Sequence, residues 1–112
     1  MSNIQSDIQN HKVVLYMKGT PDMPQCGFSS YVCAVLKHFN VSFLVRNVLE
    51  DPTLREDIKT FSNWPTLPQL YIDSQFVGGC DIVKSMHESG ALKALLQEKG
   101  CLTEPRSKEV LE

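Results

Sequence analysis

Four absences narrow the field for this 112-residue chain. No apolar run approaches the ~18–20 residues that span a bilayer, so no membrane segment is expected. Basic residues are in slight deficit, 11 against 13 acidic, for a net charge of −2. A nucleic-acid partner calls for a basic face, and none is expected. The opening "MSNIQSDIQN" has neither the basic-then-apolar plan of a secretory signal nor the Arg-rich plan of an organelle presequence. The expected compartment is therefore the cytosol, bacterial-like, or that of a mature mitochondrial or plastid form. Close cysteine pairs are also missing. None of Cys26, Cys33, Cys80 and Cys101 has a neighbour at the Cys-x2-4-Cys spacing of a zinc knuckle, and His11, His38 and His87 form no local pair. Reduced thiols used for chemistry, metal binding or packing are the better reading.

What is present has a clear order. Ile4 and Ile8, four apart, suggest a short first helix. "VVLYM" (13–17) is continuously apolar, as in a strand buried on both faces. "KGTPDMPQ" is a loop. Val32, Val35, Leu36 and Phe39 then make one face of a helix that Asn40 stops. "VSFLVRNV" (41–48) reads as a second strand, parallel to the first across a βαβ crossover. Asp51–Pro52 starts a helix whose buried side carries Leu54, Ile58 and Phe61. Residues 64–72 enter a strand through two prolines, "DSQ" turns, and "FV" pairs back as a hairpin. A helix from Asp81 is broken at Ser89–Gly90 and resumes with Leu92, Leu95 and Leu96. The fold class expected is α/β, with one four-stranded mixed sheet and helices on both faces. Residues 1–100 are expected to form the domain and 101–112 a flexible tail, with Cys101 an exposed, incidental thiol.

The stretch "PQCGFSS" (24–30) carries the chemistry. Cys26 stands at a helix N-terminus, where unpaired N–H groups and the helix dipole favour an anion. Lys18 ends the preceding strand, and in a βαβ unit that end lies near the helix start, so its charge also favours a thiolate. Where a dithiol site would place a second cysteine there is Ser29. Cys33 cannot substitute. Seven helical residues put its Cα ~10 Å away, whereas a disulfide needs Cα atoms within about 7 Å. Cys33 is expected to pack in the core. Phe28 lies off the buried stripe and is expected at an exposed rim.

The chain resembles the monothiol glutaredoxins of the "CGFS" type, in the thioredoxin-fold superfamily. The resemblance rests on "YMKG" (16–19), "CGFS" (26–29), "WPTLPQLY" (64–71) and "GGCDI" (78–82), and covers roughly residues 2–98. It implies a thioredoxin-like fold and a glutathione groove. Pro68 would be the cis-proline facing Cys26, and the backbone of Leu67 would pair with glutathione. Lys18 and Arg55, with Lys59 as a further candidate, would meet its glycine carboxylate. Asp81 and the first-turn N–H groups of its helix would hold the γ-glutamyl end, Asp81 doubling as the helix N-cap. Cys80 would lie near the active site, as a spectator thiol or as a resolving partner of Cys26. Trp64 either frames the groove or packs beside it. The longer loop before the cysteine would shift Cys26 relative to dithiol relatives. The family implies a 2Fe-2S cluster bridging a homodimer, ligated by Cys26 of each chain and two glutathiones and passed from donor to acceptor proteins. A BolA-type protein is a further partner it implies. The alternatives are a glutathione-dependent oxidoreductase, in which Cys26 attacks a protein–glutathione mixed disulfide, and a thioredoxin-fold adaptor without redox or metal chemistry.

Overall fold

The computed structural model describes residues 3–101. The expected boundary of a tail at 101–112 therefore falls, but for Cys101, outside the described residues. The elements are α1 (Ile4–Asn10), β1 (Val13–Met17), α2 (Gly27–His38), β2 (Leu44–Asn47), α3 (Pro52–Ser62), β3 (Gln69–Ile72), β4 (Gln75–Gly78), α4 (Cys80–Ser89) and α5 (Ala91–Glu98). The sheet runs β2-β1-β3-β4, with β1 and β2 parallel and the other pairs antiparallel.

β1 explains the two-sided core. Val13, Leu15 and Met17 point to one face, where they meet Val32, Cys33 and Leu36 of α2, Val83 of α4, and Leu92 and Leu96 of α5. Val14 and Tyr16 point to the other, against Ile4 and Ile8 of α1 and Leu54 and Ile58 of α3. Alternation along a strand sends successive side chains to opposite faces, so a strand covered on both reads as an unbroken apolar run.

Three helices end with the same device. Asn40 (φ 56°), Asn63 (φ 55°) and Gly100 (φ 71°) adopt the left-handed conformation. In each case the next residue's N–H reaches back to the helix: Val41 to Leu36 O, Trp64 to Lys59 O, Cys101 to Leu96 O at 2.8 Å. These are Schellman turns, and two of them bury the residue that follows, Val41 and Cys101.

Four expectations need correction. Cys101 is not an exposed tail thiol. The turn at Gly100 folds it back, and it is buried with Val13 and Leu96. The second strand spans 44–47 rather than 41–48, because Val41 completes the turn after α2 and is buried there. Phe61 is 44% exposed. Its ring leans on Tyr71, with centroids 6.1 Å apart, and leaves its outer side in solvent. Asp81 does not cap α4, which begins at Cys80 after Gly79, so Asp81 lies in the first turn.

Candidate functional site

The loop between β1 and α2 is closed on itself. Thr20 and Met23 exchange backbone hydrogen bonds, and the Gln25 N–H donates to Lys18 O at 2.9 Å. Asn47, at the end of β2, accepts from the N–H of Gly19 at 2.9 Å through Oδ1. Gly19 has φ 95°, and a Cβ there would lie 2.5 Å from Met23 O, so only glycine fits the turn. The loop thus returns the chain beside Lys18 as α2 begins.

Cys26 is the N-cap of α2 and its Sγ accepts from the Ser29 N–H at 3.3 Å. The Ser29 Oγ lies 3.3 Å from the same sulfur. That hydroxyl is fully buried and accepts from the Lys18 N–H at 3.1 Å. Its own proton is left free to face Sγ once the sulfur is ionised. Burial pushes the Cys26 thiol up. The Ser29 hydroxyl, the N–H groups of Ser29 and Phe28, and the Lys18 charge outweigh it, and the pKa ends below the ordinary thiol value. Cys33 and Cys80 go the other way. Burial raises both, and for Cys80 the charges of Asp81 and Cys26 add to the rise, which places the two site cysteines within electrostatic reach. All four cysteines are free. Cys33 is buried, its Sγ 3.3 Å from Met17 Sδ, a packing residue as expected.

Two adjoining cavities share Phe28, Thr66 and Leu67. One, of about 210 Å³, is also lined by Lys18, Arg55 and Lys59. Among the described residues Arg55 Nε is buried with no hydrogen-bond partner, and Lys59 lies 3.9 Å from the exposed Glu56. Three cations so placed suit a carboxylate. The other cavity, of about 170 Å³, is lined by Trp64, Gly79, Cys80, Asp81 and Ile82. It opens on the start of α4, where first-turn N–H groups favour an anion and the Asp81 carboxylate an amine. Cys26 lines neither cavity, but it is within electrostatic reach of Lys18, which lines one, and of Cys80, which lines the other. The Leu67–Pro68 peptide is cis, and Pro68 is buried behind Leu67 rather than lining the groove. Phe28 is 63% exposed at the rim, as expected, and Trp64 and Ile82, exposed too, line the same cavity.

The sequence-predicted residues are thus gathered at one end of the sheet. Three others were missed: the Ser29 hydroxyl, Thr66, which lines both cavities, and Gln69, buried behind the 64–68 loop. A small polar residue near a proline carries no signal of its own. Only the packing reveals it.

Known proteins point the same way. The glutaredoxin family model matches residues 13–77, more than half of the chain. The probable monothiol glutaredoxin 2 of Rickettsia typhi is 54% identical over 96 residues, 86% of either protein. The mitochondrial monothiol glutaredoxin-5 of Saccharomyces cerevisiae is 49% identical over 109 residues, 95% of this chain and 73% of that one. The solution structure of a monomeric truncated mutant of Trypanosoma brucei 1-C-Grx1 superposes with a TM-score of 0.84 at 40% identity, covering 91% of this chain and 94% of the other. With its fold, its single active-site cysteine and these relatives, the chain belongs to the glutaredoxin family and is one of its monothiol members.

Proposed function

We propose that this monothiol glutaredoxin binds glutathione in the groove of the two cavities and carries a 2Fe-2S cluster as cargo between donor and acceptor proteins. The observation that carries the reading is the Cys26 site itself. It is one half-exposed thiol with a depressed pKa, beside a cationic groove, with a hydroxyl where a second thiol would close a disulfide. An all-cysteine 2Fe-2S site takes four thiolates. Among the described residues no three His, Cys, Asp or Glu side chains cluster to hold a metal. Cys26 of each of two chains and the thiols of two glutathiones make four. Half the ligands then leave without unfolding either chain, which suits transfer. A BolA-type protein would replace one chain at the same ligand positions. Within the groove, Lys18, Arg55 and Lys59 meet the glycine carboxylate, Leu67 the peptide backbone, and Asp81 with the α4 N–H groups the γ-glutamyl end. Pro68 shapes the Leu67 turn and Cys80 flanks the thiol. A reducing compartment, the bacterial cytosol or an organelle matrix, suits four free thiols.

The test is anaerobic reconstitution with iron, a sulfide source and glutathione, followed by visible absorption and circular dichroism. Cluster bands should form with the wild type, and disappear both without glutathione and in Cys26→Ser. Bands that survive Cys26→Ser would sink the reading. The depressed thiol pKa also favours a second role, reduction of protein–glutathione mixed disulfides. Cys26 attacks the glutathione sulfur, the protein thiolate leaves, and a second glutathione releases the adduct as glutathione disulfide. Turnover with a glutathionylated peptide, and no cluster, would promote that role over the first.

A further inference from the structure

Behind the groove sits a polar side chain that touches none of its cavities. Gln69, the first residue of β3, is fully buried. Its Nε2 donates to Trp64 O at 3.1 Å and to Thr66 O at 3.2 Å. Its Oε1 accepts from the Tyr71 hydroxyl at 3.4 Å. Both amide hydrogens and the carbonyl oxygen are therefore engaged, and the amide has one orientation. Flipped, it would set an oxygen against two carbonyl oxygens. The segment it holds cannot hold itself. Pro65 and Pro68 have no N–H to give, so "WPTLP" builds no ladder of its own. Its entry is fixed by the left-handed Asn63 and by the Trp64 N–H donating to Ser62 Oγ at 3.1 Å. From there to Pro68, Gln69 is the side chain that ties the carbonyls down among the described residues. Trp64, Thr66 and Leu67 all line the groove.

We infer that Gln69 is the positioning residue of the groove: acting through the Trp64 and Thr66 carbonyls, it holds the wall against which a ligand's backbone lies. The inference rests on the groove being the glutathione site, but its first readout does not. Trp64 is the only tryptophan, so its fluorescence reports the wall directly.

The decisive variant is Gln69→Glu, which keeps the shape and replaces the donor NH2 by an oxygen. We expect acrylamide to quench Trp64 about twofold more readily, and reduced glutathione to bind about tenfold more weakly in a chemical-shift titration. The thiolate absorbance titration of Cys26, which Gln69 does not touch, should not move. Leu92→Ala, a core truncation on the opposite face, should lower the melting temperature and leave both Trp64 quenching and glutathione affinity as in the wild type. Wild-type quenching in a folded Gln69→Glu, unchanged affinity despite a loosened Trp64, or the same changes in Leu92→Ala would each overturn the inference. If Gln69→Glu does not fold, Tyr71→Phe takes its place: a smaller rise in quenching supports the inference, and none overturns it. Should the wild type not bind glutathione, the reading of the groove fails, and quenching alone decides whether Gln69 holds the wall.

Discussion

Position 29 shows how one atom's surroundings set the chemistry of another. A serine there removes the possibility of an active-site disulfide. It also supplies a hydroxyl that accepts from the Lys18 N–H and lies 3.3 Å from the sulfur, with its own proton free to turn to Sγ once the thiol is ionised. Ser29→Ala should therefore raise the Cys26 pKa, because a donor to the thiolate is lost while burial still opposes ionisation. The iodoacetamide rate at pH 7 should fall several-fold and its pH profile should move to higher pH. An unchanged profile would show the hydroxyl to be idle. Cys26 and Lys18 were legible from the chain, because a helix start and a strand end meet in any βαβ unit. The role of Ser29 was not. It depends on Lys18, just past the end of β1, touching the third residue of α2, which spacing alone does not disclose.

At the scale of elements, α1 is latched by a part-buried network. Arg46 donates to Asp7 through Nε at 2.9 Å and Nη2 at 2.8 Å, and the Tyr16 hydroxyl donates to Asp7 at 3.2 Å. The bidentate Arg46 contact holds the Asp7 carboxyl below its usual range. Burial with that carboxylate pushes the Tyr16 phenol well up. A depressed carboxylate pKa gives stability that is present above the unfolded value and lost as pH falls through the folded one. The latch should therefore weaken only below about pH 4. Asp7→Asn should destabilise the protein by about 1–2 kcal/mol at pH 7, since Arg46 is half exposed and part of the pairing is screened. Urea unfolding at pH 7 and pH 3 checks both, and the difference between wild type and variant should shrink at the lower pH. Gly78→Ala should be worse, at about 2–4 kcal/mol. Its φ of 148° is left to glycine, and a Cβ would sit 2.6 Å from the Ile82 Cβ. The damage falls on the β4–α4 junction that presents Cys80 and Asp81. Helix and strand order were legible because apolar period and caps agree: Asp51 accepts from the Leu54 N–H at 3.1 Å just before Pro52. The latch was missed because Asp7 reads as one more polar residue of a short helix. Cys101 was misplaced because Gly100 reads as an end when it is a turn back into the core.

At the scale of the whole molecule, the groove opens on a rim of exposed apolar side chains, Phe28, Trp64 and Ile82. Apolar surface gathered around a reactive group suits contact with another chain. Phe28→Ala should leave the apo protein's stability within about 0.5 kcal/mol of wild type, since an exposed side chain gives up little on truncation. It should nonetheless weaken the reconstituted dimer in sedimentation velocity. A dimer as tight as the wild type would remove the rim from the account. The central claim is that each chain contributes one thiolate and the rest come from outside it. Native mass spectrometry of the anaerobically reconstituted protein tests it most directly. The account predicts a species of two chains, one 2Fe-2S cluster and two glutathiones, absent in Cys26→Ser. A cluster held by a single chain, or by two chains with no glutathione, would contradict it.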